Sequence, residues 1–232
     1  MSELDAHKAL SSEVRVKMLR LLYRYPMGAK DLAKQLNIQP VTVRHHLKEL
    51  KEAGLLESQE FRSGGAGRPK TLYEIAKKRL VPSFPRRQYL SLSDYLIGGL
   101  QVTLGKDRTG SLLRKVGIGT GERTAEKLAS DHGIKEWTPE AFRSFFVDGY
   151  LTEVGGEPEI VEIDDKKVVY RLHNCLFFEL AMKMPEMVCD ILHDSFHQGL
   201  AKKIGKGCRL EKTKCMAHGD LYCEHRYEIE RP

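Results

Sequence analysis

Five cysteines fall in the last quarter of this 232-residue chain: Cys175, Cys189, Cys208, Cys215 and Cys223. In a reducing compartment such a cluster speaks for metal or redox chemistry more than for disulfides, and an odd count cannot close into pairs within one chain. Four thiolates brought together from separate elements can hold a tetrahedral Zn²⁺ or an iron–sulfur cluster. His193, His197 and His218 add imidazoles, but the first two, spaced i and i+4, read as a half-exposed helical pair and rank below the cysteines. No nucleophile, base and orienter stand together, which speaks against an enzyme. A second group of chemistry-bearing residues lies near the other end. Gln39, Thr42, Arg44, His45 and Lys48 crowd one short stretch, and Arg62, Arg68 and Lys70 border a glycine-rich run. Donors and cations of this kind suit the base edges and phosphates of a DNA duplex.

For four thiols to meet, the elements around them must converge. Residues 159–174 read as two alternating strands, IVEI and VVYRL, around the polar turn Asp164–Asp165–Lys166. A helix over 185–204 carries Met187, Val188, Ile191, Leu192, Phe196 and Leu200. Strands over 209–214 and 224–229 follow, with His218–Gly219–Asp220 as their turn. Cys215 then closes one strand and Cys223 opens its partner, Cys189 sits near the start of the helix, and Cys175 follows the first hairpin. Cys208 precedes Cys215 by seven residues, ~23 Å of extended strand, and the odd offset puts it on the opposite face. The expected ligands are therefore Cys175, Cys189, Cys215 and Cys223.

The basic stretch needs a different scaffold. Leu32, Ala33 and Leu36 recur at helical spacing, Asn37 suits a left-handed helix end, and Pro40 suits the first turn of a second helix behind Gln39. Val43, Leu47 and Leu50 make one dry stripe, leaving Thr42, Arg44, His45, Lys48 and Lys51 outward. Strands over 55–61 and 71–75 enclose a loop freed by Gly64, Gly65 and Gly67. A helix-turn-helix with a β-wing results, and its second helix is expected in the major groove. Before it, residues 3–24 read as helix, with Ser11 or Ser12 as a cap, and Tyr25–Gly28 as a break.

Pro82 and Pro85, with Arg86 and Arg87 beyond them, mark a linker. A helix over 89–105 with Leu90, Leu92, Tyr95, Leu96 and Leu100 apolar is expected to form a dimer seam, matching a palindromic operator. A helix over 112–129 is expected to break or bend at Gly117–Gly121. Thr138 begins another with half a capping box, and its stripe of Phe142, Phe145, Phe146 and Tyr150 reads as core or as a pocket wall.

Family resemblances join at these residues. GAGRPKTLYEI resembles the wing of winged-helix repressors of the ArsR and related families, with their GRP-x-x-x-Y signature. VCDILHDSFHQGLAKKIG…LEKTKCMAHGDLYCEHRYEI resembles the vinyl-reductase-type ligand-binding domain of aromatic-responsive activators. That resemblance implies zinc on Cys189, Cys215 and Cys223, with Lys212 at the position of a ligating glutamate and Cys175 as its replacement. HNCLFFELA…PEMVCD resembles SufR-type iron–sulfur repressors, with Leu176 where proline is usual. This second resemblance implies Cys175, Cys189, Cys208 and Cys223, so the two families disagree over Cys208.

Charge follows the same division. Residues 1–80 carry a balance of +7 and the remainder −1, within a total of +6. The surplus fits a nucleic-acid partner. No apolar run reaches the ~18 residues of a membrane span, and the start lacks signal-peptide character, so a cytoplasmic protein is expected. The expected architecture is α+β: a winged helix-turn-helix at 1–80, a linker and dimer helix at 81–105, and an α+β sensor at 106–232. Its expected partners are an operator and a second copy of the chain. The expected cofactor is an iron–sulfur cluster, the alternative being structural zinc with a small apolar ligand as the signal.

Overall fold

A computed structural model of the chain describes residues 3–61, 69–76, 87–205 and 207–229. They form two compact units, Met1–Arg87 and Gln88–Pro232. The helices and two separate sheets make the fold α+β.

In the first unit, α1 (Glu3–Leu10) and α2 (Glu13–Arg24) replace the single helix expected over 3–24. The chain breaks between them because the Ser11 hydroxyl donates back to the Lys8 carbonyl (2.8 Å) while Ser12 turns extended at the N-cap of α2. The expected break at Tyr25–Gly28 contains a short strand, β1 (Met27–Gly28), paired with Leu72 and Tyr73. Two residues are too few to show a period. Then come α3 (Ala29–Leu36), α4 (Pro40–Glu52), β2 (Leu56–Phe61) and β3 (Lys70–Ile75), with sheet order β1-β3-β2. Asn37 is left-handed (φ 53°, ψ 45°) and Gln39 is the extended N-cap before Pro40, so the tight turn forms as its residues dictate. Leu32, Val43, Leu47 and Leu50 are fully buried with Met18, and each such side chain stabilises the fold by about 1.5–3 kcal/mol. Arg15 of α2 pairs with Glu49 of α4 and donates to the Lys8 carbonyl of α1, tying three helices together. The wing residues Arg62, Gly64, Gly65, Gly67 and Arg68, and the linker residues Pro82, Pro85 and Arg86, lie outside the described residues.

The second unit contains α5 (Tyr89–Leu104) and α6 (Lys106–His132), then α7 (Pro139–Ala141), which runs into a π-helix over Phe142–Leu151. β4 (Pro158–Ile163), β5 (Lys167–Leu172) and the short α8 (Phe178–Lys183) follow. A second π-helix, Glu186–His193, leads into α9 (Asp194–Ile204), and β6 (Arg209–Lys214), a 3₁₀ turn at Met216–His218 and β7 (Cys223–Glu228) complete the unit. The antiparallel sheet runs β4-β5-β7-β6. Thr138 does cap: its hydroxyl accepts the Ala141 N–H at 3.1 Å. Phe142 and Phe146 are core, packing in tilted and edge-on contacts with Tyr170 and Tyr227 at centroid distances of 4.5–6.5 Å.

The expected break at Gly117–Gly121 is absent, since α6 is one helix of 27 residues. Its glycines serve packing. A Cβ on Gly117 would lie 2.4 Å from the Leu192 carbonyl oxygen, and one on Gly121 would lie 1.9 Å from that of Phe196. Gly199 answers from α9, where a Cβ would lie 2.1 Å from the Ile118 oxygen. Backbones of α6 and α9 meet where no side chain fits.

Candidate functional site

The second helix of the turn, α4, has the two faces its sequence dictates. Val43, Leu47 and Leu50 are buried, while Gln39, Thr42, Arg44, His45 and Lys48 are exposed. Arg44 has no ion-pair partner among the described residues. His45 lies 3.2 Å from Glu49, and Lys48 lies 3.7 Å from Glu52, loose i,i+4 pairs of little energetic weight. Lys70 is more committed: its ammonium sits 2.7 Å from Asp31 and holds that carboxyl below the usual range.

The second unit brings Cys175, Cys189, Cys215 and Cys223 onto the wall of one cavity of about 30 Å³, shared with Leu151, Leu172, Phe177, His193 and Lys212. The four come from a loop, a π-helix, the end of β6 and the start of β7. Burial first, then the neighbouring Cys215 and Cys175, pushes the Cys189 thiol well above its ordinary range. Burial likewise raises Cys223 and Cys175. Thiols in that state are poor nucleophiles, and a bound cation would be needed to ionise them together. Backbone groups support the set: the Cys215 N–H donates to Asp220 (2.8 Å), and the Met216 N–H donates to the Cys223 sulfur (3.3 Å).

Lys212, at the position of the family glutamate, points its ammonium at Asp194 (2.9 Å) and Asp190 (3.2 Å). Burial works against that charge, but the two carboxylates outweigh it and keep the lysine protonated. It cannot ligate a cation. Cys208 stands apart from the four, in a groove with Asp194, Ala201 and Leu210, its thiol pushed up to about 12 by burial. The opposite-face expectation for Cys208 fails, because it packs on the same core and its charge is felt by Tyr227. A bulge between Lys212 and Lys214 resets the alternation, so distance along the strand separates Cys208, not parity.

The bacterial regulatory protein arsR family matches residues 12–58. An uncharacterised HTH-type transcriptional regulator of Methanocaldococcus jannaschii is 37% identical over 67 residues, 29% of this chain and 68% of that protein. An uncharacterised protein of the same organism is 39% identical over 75 residues, covering 32% of this chain and 79% of its own. The chain belongs to the HTH-type transcriptional regulators, with an arsR-type domain near its N-terminus. The HTH-type transcriptional regulator LrpA of Pyrococcus horikoshii is also similar, at 32% identity over 80 residues, 29% of this chain and 57% of that one. Two of these three relatives are named as transcription regulators, and the arsR type binds DNA. Among solved structures, the phenol-responsive sensory domain of the activator PoxR with phenol is similar at 14% identity and a TM-score of 0.45, over 81% of this chain and 90% of that one. Among the regulator's described residues, no helix is long and apolar enough to cross a membrane.

One group was missed in the sequence. The half-exposed reading holds for His193 alone: His197 is 1% exposed, and both rings meet His225 of β7. The signal was present as two ladders. Cys189, His193 and His197 repeat every four residues, about 6 Å of helix per step. Cys223, His225 and Tyr227 alternate along one strand face, about 6.7 Å per step. The ladders lie against each other, thiols at one end and the His197–Tyr227 hydrogen bond (2.7 Å) at the other. His218, by contrast, is a surface group beside Asp190 (3.0 Å).

Proposed function

We propose that the regulator acts as a dimer on a two-fold operator, and that Cys175, Cys189, Cys215 and Cys223 hold an iron–sulfur cluster reporting redox or iron status. The convergence of four thiols from four elements on one cavity carries this reading. Cys215 lies within side-chain hydrogen-bond range of both Cys189 and Cys223, and with Cys175 on the same wall the set supplies the four thiolates that a cluster takes. The apolar-ligand alternative is less well supported, because the cavity of about 30 Å³ is far below the roughly 300 Å³ of a small-molecule pocket. When bound, the cluster would supply electron transfer or a lability toward oxidants.

The test is protein purified without oxygen. Broad visible absorbance with about four irons per chain is the expected result. A colourless chain holding one zinc would overturn the cluster, and a metal-free chain would leave thiol oxidation as the chemistry of the same residues.

Reading of DNA is assigned to Gln39, Thr42, Arg44, His45 and Lys48 on the exposed side of α4, with Arg62, Arg68 and Lys70 of the wing on phosphates. Arg44→Ala is expected to weaken specific operator binding by about 1–3 kcal/mol, and Lys48→Ala to lower the salt slope by about 1. Fluorescence anisotropy against salt reads both, and unchanged specific affinity for Arg44→Ala would remove α4 from the groove.

Dimerisation is assigned to α5. Leu92, Tyr95, Leu96 and Val102 are exposed on it, while Ile97 alone of its apolar side chains is buried. So large an apolar face on one helix calls for a cover. A second copy suits it, since a two-fold protein matches two half-sites. The helix also has a physical route to the thiols. Asp94 of α5 pairs with Lys183 of α8 (2.9 Å), and α8 follows Cys175 directly and packs on the turn after Cys215. Regulation needs the two states of the centre to differ in operator affinity, and that difference can pass through α8 to the seam. Leu96→Glu is expected to yield a folded monomer by light scattering; an unchanged dimer mass would exclude α5.

A further inference from the structure

We infer that His193, His197 and His225 form a second metal site, taking one divalent first-row transition ion through three neutral imidazoles. The site lies one step along each ladder from the cysteines and stands whether or not the thiols carry a cluster.

Geometry is the first support. One donor nitrogen from each ring lies within 4.8 Å of the other two. Zinc–nitrogen bonds of about 2.0–2.1 Å require about 3.4 Å between donors, a contraction that small ring rotations supply. The rings come from two rigid elements, His193 and His197 from the continuous π–α helix and His225 from the middle of β7. Centroid distances of 4.5, 4.4 and 5.8 Å close the triangle.

Unmet hydrogen bonding is the second support. His197 Nε2 and both ring nitrogens of His225 are buried and have no hydrogen-bond partner. His225 is 0% exposed. A buried polar atom left without a partner costs about 1–3 kcal/mol, and here three such atoms sit on two rings facing a third. Packing alone gives no reason to gather them. An ion accepting one lone pair from each ring does, meeting His197 Nε2 and one of the two nitrogens of His225.

Tyr227 provides the orientation expected behind a ligating histidine. Its hydroxyl can donate to the His197 carbonyl (3.5 Å) and accept from His197 Nδ1–H (2.7 Å). That arrangement leaves the Nε2 lone pair free, and metal-binding histidines are commonly fixed through their second nitrogen in this way. The Lys212 charge near the rings is neutralised by Asp190 and Asp194. Three imidazoles with no carboxylate suit zinc, iron, nickel or copper rather than magnesium or calcium, and leave a fourth position for water.

The test uses the full chain, stripped of metal and titrated with Co²⁺, followed by metal analysis and absorption. Thiolate-bound cobalt shows intense near-ultraviolet charge transfer, and imidazole-bound cobalt only weak visible bands. His193→Gln and His225→Gln are expected to lose one ion per chain and the nitrogen-type bands while keeping any thiolate absorption. Cys215→Ser with Cys223→Ser is expected to show the reverse. Circular dichroism shows that each chain compared is folded, and the less buried His193→Gln keeps the comparison open if His225→Gln does not fold. Full cobalt stoichiometry in the folded histidine variants, or no nitrogen-type ion in the wild type, overturns the site and leaves the cavity to buried water.

Discussion

Gly121→Ala is expected to destabilise the second unit by about 3 kcal/mol, although alanine in a helix interior ordinarily stabilises by about 1 kcal/mol relative to glycine. The sign reverses because of where the methyl group would go. Its carbon would stand 1.9 Å from the Phe196 carbonyl oxygen and 2.8 Å from the Leu200 nitrogen, both backbone atoms of α9 that no rotamer change can move. Relief requires α6 and α9 to separate along their shared length, loosening Leu200 and the aromatic core beyond it. Two residues earlier, Gly119 supplies the control. There the nearest atom to a new Cβ is the far end of Arg123, at 3.3 Å, which can swing away. Gly119→Ala is expected to be neutral or stabilising by up to about 1 kcal/mol. Denaturant unfolding of both variants measures the contrast, and equal midpoints would show that the helices do not need the contact at Gly121. A loss at Gly121 would also move His197, because the same stretch of α9 carries both contacts.

Much of the first unit was legible because its signals are local. Asn37 at the left-handed position, Pro40 in the first turn and the stripe Val43, Leu47, Leu50 each specify structure within a few residues, and all three stand as read. The readings that failed depended on partners far away in sequence. Glycines at 117 and 121 look the same in a bent helix and in one pressed against another; only α9, some 75 residues on, decides between them. The imidazoles were undervalued for a related reason. An i,i+4 histidine pair on a helix carries no sign of its burial, and the alternation Cys223, His225, Tyr227 acquires meaning only when β7 packs against that helix. The parity argument for Cys208 assumed an unbroken strand, and a single bulged residue undid it.

Cys215→Ser is expected to abolish the proposed cluster, whereas Cys208→Ser should leave it intact. Cys215 is the shared neighbour of the group, its thiol raising both Cys189 and Cys223. Serine is nearly the same size, and the backbone here is pinned by Asp220 to the Cys215 N–H (2.8 Å), so the fold should survive and the loss should be one of ligation. Anaerobic protein carrying Cys215→Ser should be colourless and hold almost no iron, with operator binding fixed in the cluster-free state. Cys208 faces Leu210 and Ala201 near the far end of the ladder, and its replacement removes only a buried thiol from a groove. Its variant should keep full absorbance and lose at most about 1 kcal/mol of stability. The opposite result, iron lost with Cys208→Ser and kept with Cys215→Ser, would overturn the assignment of Cys215 as a ligand. Asp220→Ala separates the cases further. It leaves all five thiols in place but frees the Cys215 backbone, and it should weaken metal binding by about 10–100-fold only if Cys215 is a ligand.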